Sequence, residues 1–256
     1  MLHAEASGNG PPLVLVHGFT QTGRSWGRFG ELIERGRRVV RVDLPGHGAS
    51  GGVRADLAET GALVLRAAGA DGDGAGAGSG PVDLLGYSLG ARVALHAALD
   101  HPGSVRRLVL IGGTAGIEDP EARAARRRRD DAMADALEAD GDVDAFLRRW
   151  LASPMFAGLR DPGLAARREN TAAGLASSLR LAGTGTQASL WDRLGALGTP
   201  ALLLTGADDL RFAAVAARMA RAMPTATFSL VPGAGHAAHL AQPELTARMV
   251  ARFLDG

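Results

Sequence analysis

Ser88 is the residue of this chain whose surroundings most strongly indicate chemistry. It is the centre of the pentapeptide Gly86-Tyr87-Ser88-Leu89-Gly90, which has the pattern Gly-x-Ser-x-Gly. An apolar run precedes the pentapeptide and an apolar helical pattern follows it, as in enzymes that carry a serine on a tight turn between a strand and a helix. Such a turn lifts the hydroxyl above the sheet, beside the positive end of the helix. The pattern predicts that Ser88 is the reactive hydroxyl of an enzyme.

A serine hydroxyl needs a base to take its proton, and that base needs a carboxylate to orient it. In chains with this serine pattern the carboxylate follows the serine and the histidine comes last. His236 is the predicted base because glycine-rich backbone directly precedes it, and His239 is the competing candidate. Asp208 and Asp209 are both candidates for the carboxylate. The aspartate that does not serve the histidine is expected to cap the following helix.

Backbone N–H groups near Ser88 would stabilise negative charge that develops during a reaction. The segment from His17 to Thr20 follows the first long apolar run and is the expected source of one donor. The N–H groups of Phe19 and Leu89 are the predicted pair, and each such donor typically contributes ~3 kcal/mol. His17 and His47 lie in or beside tight turns, and we predict that they support those turns.

Six short apolar runs predict the strands that position these groups. They are residues 13–17, 38–43, 82–86, 105–111, 201–205 and 227–231. Most are continuous rather than alternating, which indicates strands covered on both faces. Helical patterns lie between them, at about 26–35, 54–68, 89–100, 211–222 and 243–254. The alternation predicts an α/β fold with a mostly parallel, doubly wound sheet.

Two segments interrupt this alternation. Residues 69–80 are nearly all glycine, alanine, aspartate and serine, which is typical of a flexible surface loop. Residues 114–191 have helical patterns without a convincing strand and include the run Arg126 to Arg129. We predict a core domain of residues 1–113 and 192–256, and a helical cap, or lid, inserted at 114–191. Four consecutive helical residues point around ~300°, so one or two of these arginines can face a common site.

The composition of the 256 residues excludes several classes of protein. With 46% hydrophobic and 21% charged residues the chain is of ordinary globular type. The absence of cysteine excludes a disulfide scaffold and a thiol nucleophile. A net charge of +1 gives no electrostatic case for nucleic acid, and no apolar run approaches the ~20 residues that span a bilayer. With no signal peptide visible, we predict a cytoplasmic protein without a metal site.

The order of these motifs resembles that of the α/β-hydrolase superfamily over nearly the whole chain. Within it, the chain is most similar to the family of 2-succinyl-6-hydroxy-2,4-cyclohexadiene-1-carboxylate synthases, the pyruvate-eliminating lyases of menaquinone biosynthesis. Matches in the predicted cap carry most of the weight, because members of the fold differ most there. The matching segments are 17–20, 87–92, 121–130, 183–185 and 189–191, together with Trp150, Pro154 and Phe156.

The resemblance implies roles for individual residues. The catalytic triad falls on Ser88, Asp209 and His236, and the match of Gly206 to Phe212 with a family pattern favours Asp209 over Asp208. Three positions depart from the family's usual residues, and none of them removes a catalytic group: Ala91, Ala207 and Arg211. The implied substrate-binding residues are Tyr87, Arg92, Arg126 and Trp150.

The resemblance also implies a reaction. A small anionic substrate, 2-succinyl-5-enolpyruvyl-6-hydroxy-3-cyclohexene-1-carboxylate, would lose a ring proton to Ser88 and then pyruvate, without any cofactor. A serine hydrolase of the same fold, either a carboxylesterase or a C–C bond hydrolase, is the alternative, because the triad suits both. A non-enzymatic ligand receptor is a third reading, which the complete triad disfavours. The sequence leaves the oligomeric state open.

Overall fold

A computed structural model describes residues 1–69, 80–157, 159 and 164–256 of the chain. The glycine-rich loop predicted at 69–80 therefore lies, apart from its two end residues, outside the described residues. The predicted cap at 114–191 is described except for 158 and 160–163.

Seven strands of the described residues form one sheet. They are β1 Ala4–Ser7, β2 Pro12–Val16, β3 Arg38–Val42, β4 Val82–Tyr87, β5 Val105–Ile111, β6 Ala201–Gly206 and β7 Ala226–Val231. Their order across the sheet is β1-β3-β2-β4-β5-β6-β7. Only β1 runs antiparallel to its neighbour within this described sheet, so the prediction of a mostly parallel sheet is confirmed. The six predicted strands agree with β2 to β7 within one residue at each end.

Helices cover both faces of the sheet, and further helices form a segment between β5 and β6. The helices of the described residues are α1 Gly27–Ile33, α2 Leu57–Ala68, α3 Leu89–Asp100, α4 Pro120–Asp140, α5 Val143–Leu151, α6 Leu164–Arg167, α7 Ala172–Ala182, α8 Leu210–Ala222, α9 Ala238–Ala241 and α10 Pro243–Asp255. Local sequence fixes several of their ends. The side chain of Asp56 accepts the N–H of Glu59 to begin α2, and Gly141, with φ +65°, ends α4. None of the helices in the described part of the chain is long and apolar enough to cross a membrane.

Strand β4 shows why the apolar runs are continuous. All six of its residues are buried. Leu84 packs with the apolar side chains of α2 and α3 on one face of the sheet, and Leu85 packs with those of α1 and α10 on the other. Burying one leucine stabilises the fold by about 2 kcal/mol, so a strand apolar on both sides is favoured only between two helical layers. The predicted doubly wound α/β architecture is confirmed.

Helices α4 to α7 lie between β5 and β6 in the chain, within the segment predicted as a cap. Helices α4 and α7 pack against each other through small and apolar side chains: Ala134, Leu137, Leu175, Ala176 and Leu179. Phe19, from the loop after β2, packs against the same side chains. The helices of the segment therefore sit directly on a loop that follows a central strand. The division into a core of 1–113 and 192–256 and a cap of 114–191 stays a prediction.

Three histidines are fully enclosed in this fold. His17 Nε2 accepts the N–H of Leu44 at 3.0 Å, and His47 Nε2 accepts the N–H of Thr20 at 3.3 Å. His239 packs between the rings of Trp26 and Tyr87. Burial lowers the pKa of His17 to about 4 and the pKa values of His47 and His239 to about 3. All three rings are neutral at pH 7, which leaves Nε2 of His17 and His47 able to accept a hydrogen bond.

These histidines predict a loss of stability in mild acid. In the unfolded chain a histidine has a pKa of about 6.5, so below that pH the unfolded state binds protons that the folded state does not. The free energy of unfolding should then fall as the pH drops from about 6.5 towards 4, by up to about 1.4 kcal/mol per pH unit for each buried histidine. Urea unfolding at pH 7, 6 and 5 measures this slope. His239→Leu should make it shallower, and an unchanged slope in that variant would contradict the assignment.

Candidate active site

Ser88 stands on a strained turn between β4 and α3. Its backbone has φ +52° and ψ −105°, a conformation that costs a non-glycine residue of order 1–3 kcal/mol. The turn is possible because glycine stands on both sides. A Cβ on Gly86 would collide with the carbonyl oxygen of Gly90, and a Cβ on Gly90 would collide with that of Val16. The two glycines of the Gly-x-Ser-x-Gly pattern are therefore required because Gly86 packs against the first turn of α3 and Gly90 packs against the end of β2.

Three side chains from separate strand ends meet in one hydrogen-bonded line. His236 Nε2 lies 3.0 Å from Ser88 Oγ, and His236 Nδ1 lies 2.8 Å from Asp209 Oδ2. Ser88 follows β4, Asp209 follows β6 and His236 lies in the loop after β7. Because these strands are parallel, their carboxyl ends lie at the same edge of the sheet. The arrangement is that of a serine, a base and an orienting carboxylate.

Asp209 has a second function in the fold. Its Oδ1 accepts the N–H of Phe212 at 3.2 Å and so caps α8. The expectation that the aspartate not bonded to histidine would be the cap is therefore wrong. The side chain of Asp208 is exposed, and the first turn of α8 holds Asp209 in place for His236. His239, the competing base, is buried against Tyr87 on α9.

The two residues expected from the sequence to supply backbone donors, Phe19 and Leu89, line the same cavity as Ser88. Leu89 is the first residue of α3, so its N–H is among those without a partner inside the helix. Phe19 belongs to the loop after β2, and both residues line the cavity onto which Ser88 opens. The next residue, Thr20, has φ +68° and is fully buried. The backbone of the loop therefore has a left-handed conformation at the residue that directly follows Phe19.

A cavity of about 140 Å³ opens onto Ser88 and His236. One part of its wall is aromatic. The rings of Phe19 and Trp150 meet edge to face with centroids 5.2 Å apart, and the ring of Tyr87 lies 5.5 Å from that of His236. The other part is cationic, with four arginines among the described lining residues: Arg92, Arg126, Arg167 and Arg211. All four expected binding residues, Tyr87, Arg92, Arg126 and Trp150, line this cavity.

Arg126 is held in the wall by a buried carboxylate. Its Nε donates to Asp130 Oδ1 at 2.8 Å, and Asp130 is 1% exposed. The other oxygen of Asp130 accepts the N–H of Gly185 at 3.2 Å, which ties α4 to the turn after α7. Since Nε is engaged, the two terminal nitrogens of Arg126 remain for the cavity. Arg127, by contrast, is 62% exposed and lies 3.9 Å from Asp131, so the run of four arginines contributes a single one to the wall.

Arg92 is a buried cation beside Arg126. Its Nη1 donates to the carbonyl oxygen of Ala182 at 2.8 Å. Burial, together with the neighbouring charge of Arg126, lowers the pKa of Arg92 to about 10. The guanidinium therefore keeps its charge at neutral pH. Two positive charges close together in a partly enclosed cavity favour an anionic ligand.

Arg167 is a cavity residue that the sequence analysis missed. It ends α6, is 1% exposed, and its Nη1 donates to Thr20 Oγ1 and, at 3.4 Å, to the carbonyl oxygen of Phe19. Burial lowers its pKa to about 10, so it too is a cation at neutral pH. Its sequence surroundings, Ala-Arg-Arg-Glu, are those of an ordinary helix surface. Only the packing of α6 against the loop after β2 distinguishes it from Arg168, which is exposed.

Comparison with known proteins places this geometry in a family. The model of the alpha/beta hydrolase family matches residues 13–249. The chain is 33% identical to a putative 2-succinyl-6-hydroxy-2,4-cyclohexadiene-1-carboxylate synthase of Bacillus subtilis, over 94% of this chain and 89% of that protein. It is 32% identical to the synthase of that name from Klebsiella pneumoniae, over 99% of both chains. Among solved structures, MenH from S. aureus superposes with a TM-score of 0.89 at 28% identity, over 100% of this chain and 98% of that one.

Proposed function

Since the chain belongs to the alpha/beta hydrolase family and, within it, to the family of 2-succinyl-6-hydroxy-2,4-cyclohexadiene-1-carboxylate synthases, we propose that it is a lyase that eliminates pyruvate. Its substrate is 2-succinyl-5-enolpyruvyl-6-hydroxy-3-cyclohexene-1-carboxylate. The product is 2-succinyl-6-hydroxy-2,4-cyclohexadiene-1-carboxylate, and the synthases of this name belong to menaquinone biosynthesis. The observation that carries the proposal is a Ser-His-Asp line that opens onto a cavity walled by arginines.

The reaction is a proton abstraction followed by loss of a leaving group. The ring carbon that carries the succinyl ketone loses its proton, and the electrons of that C–H bond form a new ring double bond. The existing ring double bond shifts by one position, and the bond to the enolpyruvyl oxygen breaks. Ser88 Oγ takes the ring proton while its own proton passes to His236 Nε2. Asp209 holds the ring of His236 and stabilises the imidazolium that forms. The imidazolium of His236 then gives its proton to the departing enolpyruvate, which leaves as pyruvate, and the ring proton stays on Ser88 Oγ as the restored hydroxyl.

The negative charge of this transition state needs fixed donors. It develops on the ketone oxygen next to the lost proton, and the N–H groups of Phe19 and Leu89 donate to that oxygen. The reaction needs no covalent bond to Ser88. The triad and the backbone N–H donors, which catalyse acyl transfer in hydrolases, here catalyse an elimination.

The carboxylates of the substrate account for the cationic wall. Arg92 and Arg126 bind them, with Asp130 fixing the guanidinium of Arg126. Trp150 and Tyr87 cover the apolar faces of the ring. Arg167 adds a third positive charge, buried beside the loop that carries Phe19. A guanidinium is suited to this task because its planar donors match a carboxylate. The substrate is thereby oriented with its acidic proton towards Ser88.

A hydrolase is the alternative that the same geometry favours. The distance of 3.0 Å between Ser88 Oγ and His236 Nε2 suits a nucleophilic serine as well as a basic one. The deciding measurement is the rate of pyruvate release from freshly prepared substrate, set against the spontaneous decay of that substrate. A rate far above the background supports the lyase. A rate equal to the background, together with turnover of simple esters or diketones, would replace it with a hydrolase.

Arg126→Ala should separate charge recognition from the chemistry at Ser88. Hydrogen bonds to charged groups contribute about 1.5–3 kcal/mol, so kcat/KM for the anionic substrate should fall by roughly 10- to 150-fold. The rate at which a neutral fluorophosphonate labels Ser88 should change little. Arg127→Ala is the matched control, because this neighbouring arginine is largely exposed. Equal losses in both reactions would mean that Arg126 supports the fold and does not bind the substrate.

A further inference from the structure

The loop that carries the Phe19 amide is held in a strained conformation. Thr20 has φ +68°, and a β-branched residue in this region is an outlier that persists only where its surroundings enforce it. The side chain of Thr20 is fully buried. From the core, His47 Nε2 accepts the N–H of Thr20 at 3.3 Å. The carbonyl oxygen of Thr20 faces the other way, towards the helical segment between β5 and β6.

Asn170, which lies between α6 and α7, binds that carbonyl oxygen. Its Nδ2 donates to the oxygen of Thr20 at 2.7 Å and to that of Arg167 at 2.9 Å. Its Oδ1 accepts the N–H of Gly48, in the loop after β3, at 2.9 Å. Both hydrogens and the oxygen of the amide are therefore used, and the side chain is only 6% exposed. One side chain of the predicted cap thus binds two loops, those at the carboxyl ends of the neighbouring strands β2 and β3.

A carboxamide is the group that this position requires. The two loops present groups of opposite type, since Thr20 offers an acceptor and Gly48 offers a donor. Asparagine carries one donor group and one acceptor group about 2 Å apart. An aspartate of the same shape would keep the bond from Gly48 and set a negative oxygen against the carbonyl of Thr20. Of the three contacts, the bond from Gly48 holds the loop after β3, the bond to Thr20 holds the loop of Phe19, and the bond to the carbonyl oxygen of Arg167 stays within the helical segment.

From these contacts we infer that Asn170 is a positioning residue that aims the Phe19 amide at the reacting oxygen, and so makes the transition state depend on the docked helical segment. The inference rests on the oxyanion role of Phe19 in the proposed function, and it does not rest on the identity of the substrate. The carbonyl of Thr20 lies two peptide units after the Phe19 N–H, so a shift of the backbone at Thr20 is passed through one peptide to the Phe19 amide. That donor must lie within about 3 Å of the charge to be effective. Asn170 is not itself among the described lining residues of the cavity, and its three hydrogen bonds go to backbone atoms of Thr20, Arg167 and Gly48, not to the triad.

The test compares Asn170→Asp and Asn170→Ala with the wild-type protein in two reactions. One is pyruvate release, measured as separate kcat and KM values. The other is the rate at which a neutral fluorophosphonate labels Ser88, a reaction that also builds negative charge on an oxygen and needs no natural substrate. Glu169→Gln is the matched control, since Glu169 is the preceding residue and is exposed, 3.6 Å from Arg24. Thermal melting of every variant reports on folding.

We expect Asn170→Asp to lower kcat and the labelling rate by about tenfold or more, with KM changed less than threefold and Glu169→Gln unaffected. Asn170→Ala should show the same pattern, and if it fails to fold, Asn170→Asp alone decides. Wild-type rates in a folded Asn170→Asp variant would overturn the inference, because the bond to Gly48 would then be the only one that matters. A rise in KM without a fall in kcat would overturn it as well.

The two arms separate this inference from the proposed function. If the wild-type protein releases no pyruvate but Ser88 is labelled, and Asn170→Asp slows that labelling, the lyase proposal fails and the inference stands. If the wild-type protein does neither, the reading of the triad fails and the inference fails with it.

Discussion

Ser88→Ala is expected to reduce pyruvate release by at least about 10³-fold, to near the spontaneous decay of the substrate. Ser88 Oγ is the atom that takes the ring proton in the proposed mechanism, and a positioned base contributes typically 10²–10⁴-fold. No other hydroxyl is hydrogen-bonded to His236 among the described residues. The rate should be measured with fresh substrate and corrected for its decay without enzyme.

The control for Ser88→Ala is Ser178→Ala, because Ser178 is also buried and lines the same cavity from α7. That variant should keep activity within a few-fold of the wild type. Both variants should melt close to the wild-type temperature, since the hydroxyl of Ser88 serves the reaction and not the packing. Undiminished pyruvate release by a folded Ser88→Ala variant would remove the mechanism proposed here, although not the fold.

Asp209→Asn is expected to lower kcat by about 10³- to 10⁴-fold without unfolding the protein. The loss follows from the bond of 2.8 Å between Asp209 Oδ2 and His236 Nδ1. An amide in that place favours the wrong tautomer of the ring and cannot stabilise an imidazolium, which in other triads costs about 10⁴-fold. Stability should be kept because asparagine caps helices about as well as aspartate does, so the bond from the Phe212 N–H survives.

The control for Asp209→Asn is Asp208→Asn, a change of the same kind one residue earlier on an exposed side chain. It should leave kcat and KM unchanged. Steady-state pyruvate release and urea unfolding of the two variants give the comparison. The assignment of the carboxylate would have to be abandoned if the Asp208 variant lost activity and the Asp209 variant kept it.

Local patterns were sufficient where a short segment carries its own constraint. The turn that carries Ser88 needs Gly86 and Gly90, because a Cβ at either position would collide with backbone. The five-residue pattern is therefore enough to predict the turn. Strands β2 to β7 could be predicted from the sequence because burial on both faces leaves a continuous apolar run. The four-residue edge strand β1 was missed, since half of its residues are exposed and it has no such run.

Other residues of the site have no local pattern. Arg167 and Asn170 lie in a polar segment that resembles a solvated helix end, yet both are buried against the loop that carries Phe19. Their surroundings come from residues about 150 positions earlier in the chain. A hydrophobic period of 3.6 residues in a helix or 2 in a strand indicates only which face of the element is apolar. It gives no signal for a polar contact between distant segments.

The sequence by itself determined the α/β architecture, and it predicted the serine and the histidine that meet at the end of the sheet, because backbone sterics and two-sided burial act over a few residues. The tertiary structure decided that Asp209 both caps α8 and orients His236, that one of four consecutive arginines enters the cavity wall, and that Arg167 and Asn170 hold the loop of Phe19. Each of these three features depends on which buried hydrogen-bond donors and acceptors meet when distant segments pack. An unpaired buried polar group costs free energy, and only the packing decides which groups are buried and which find a partner.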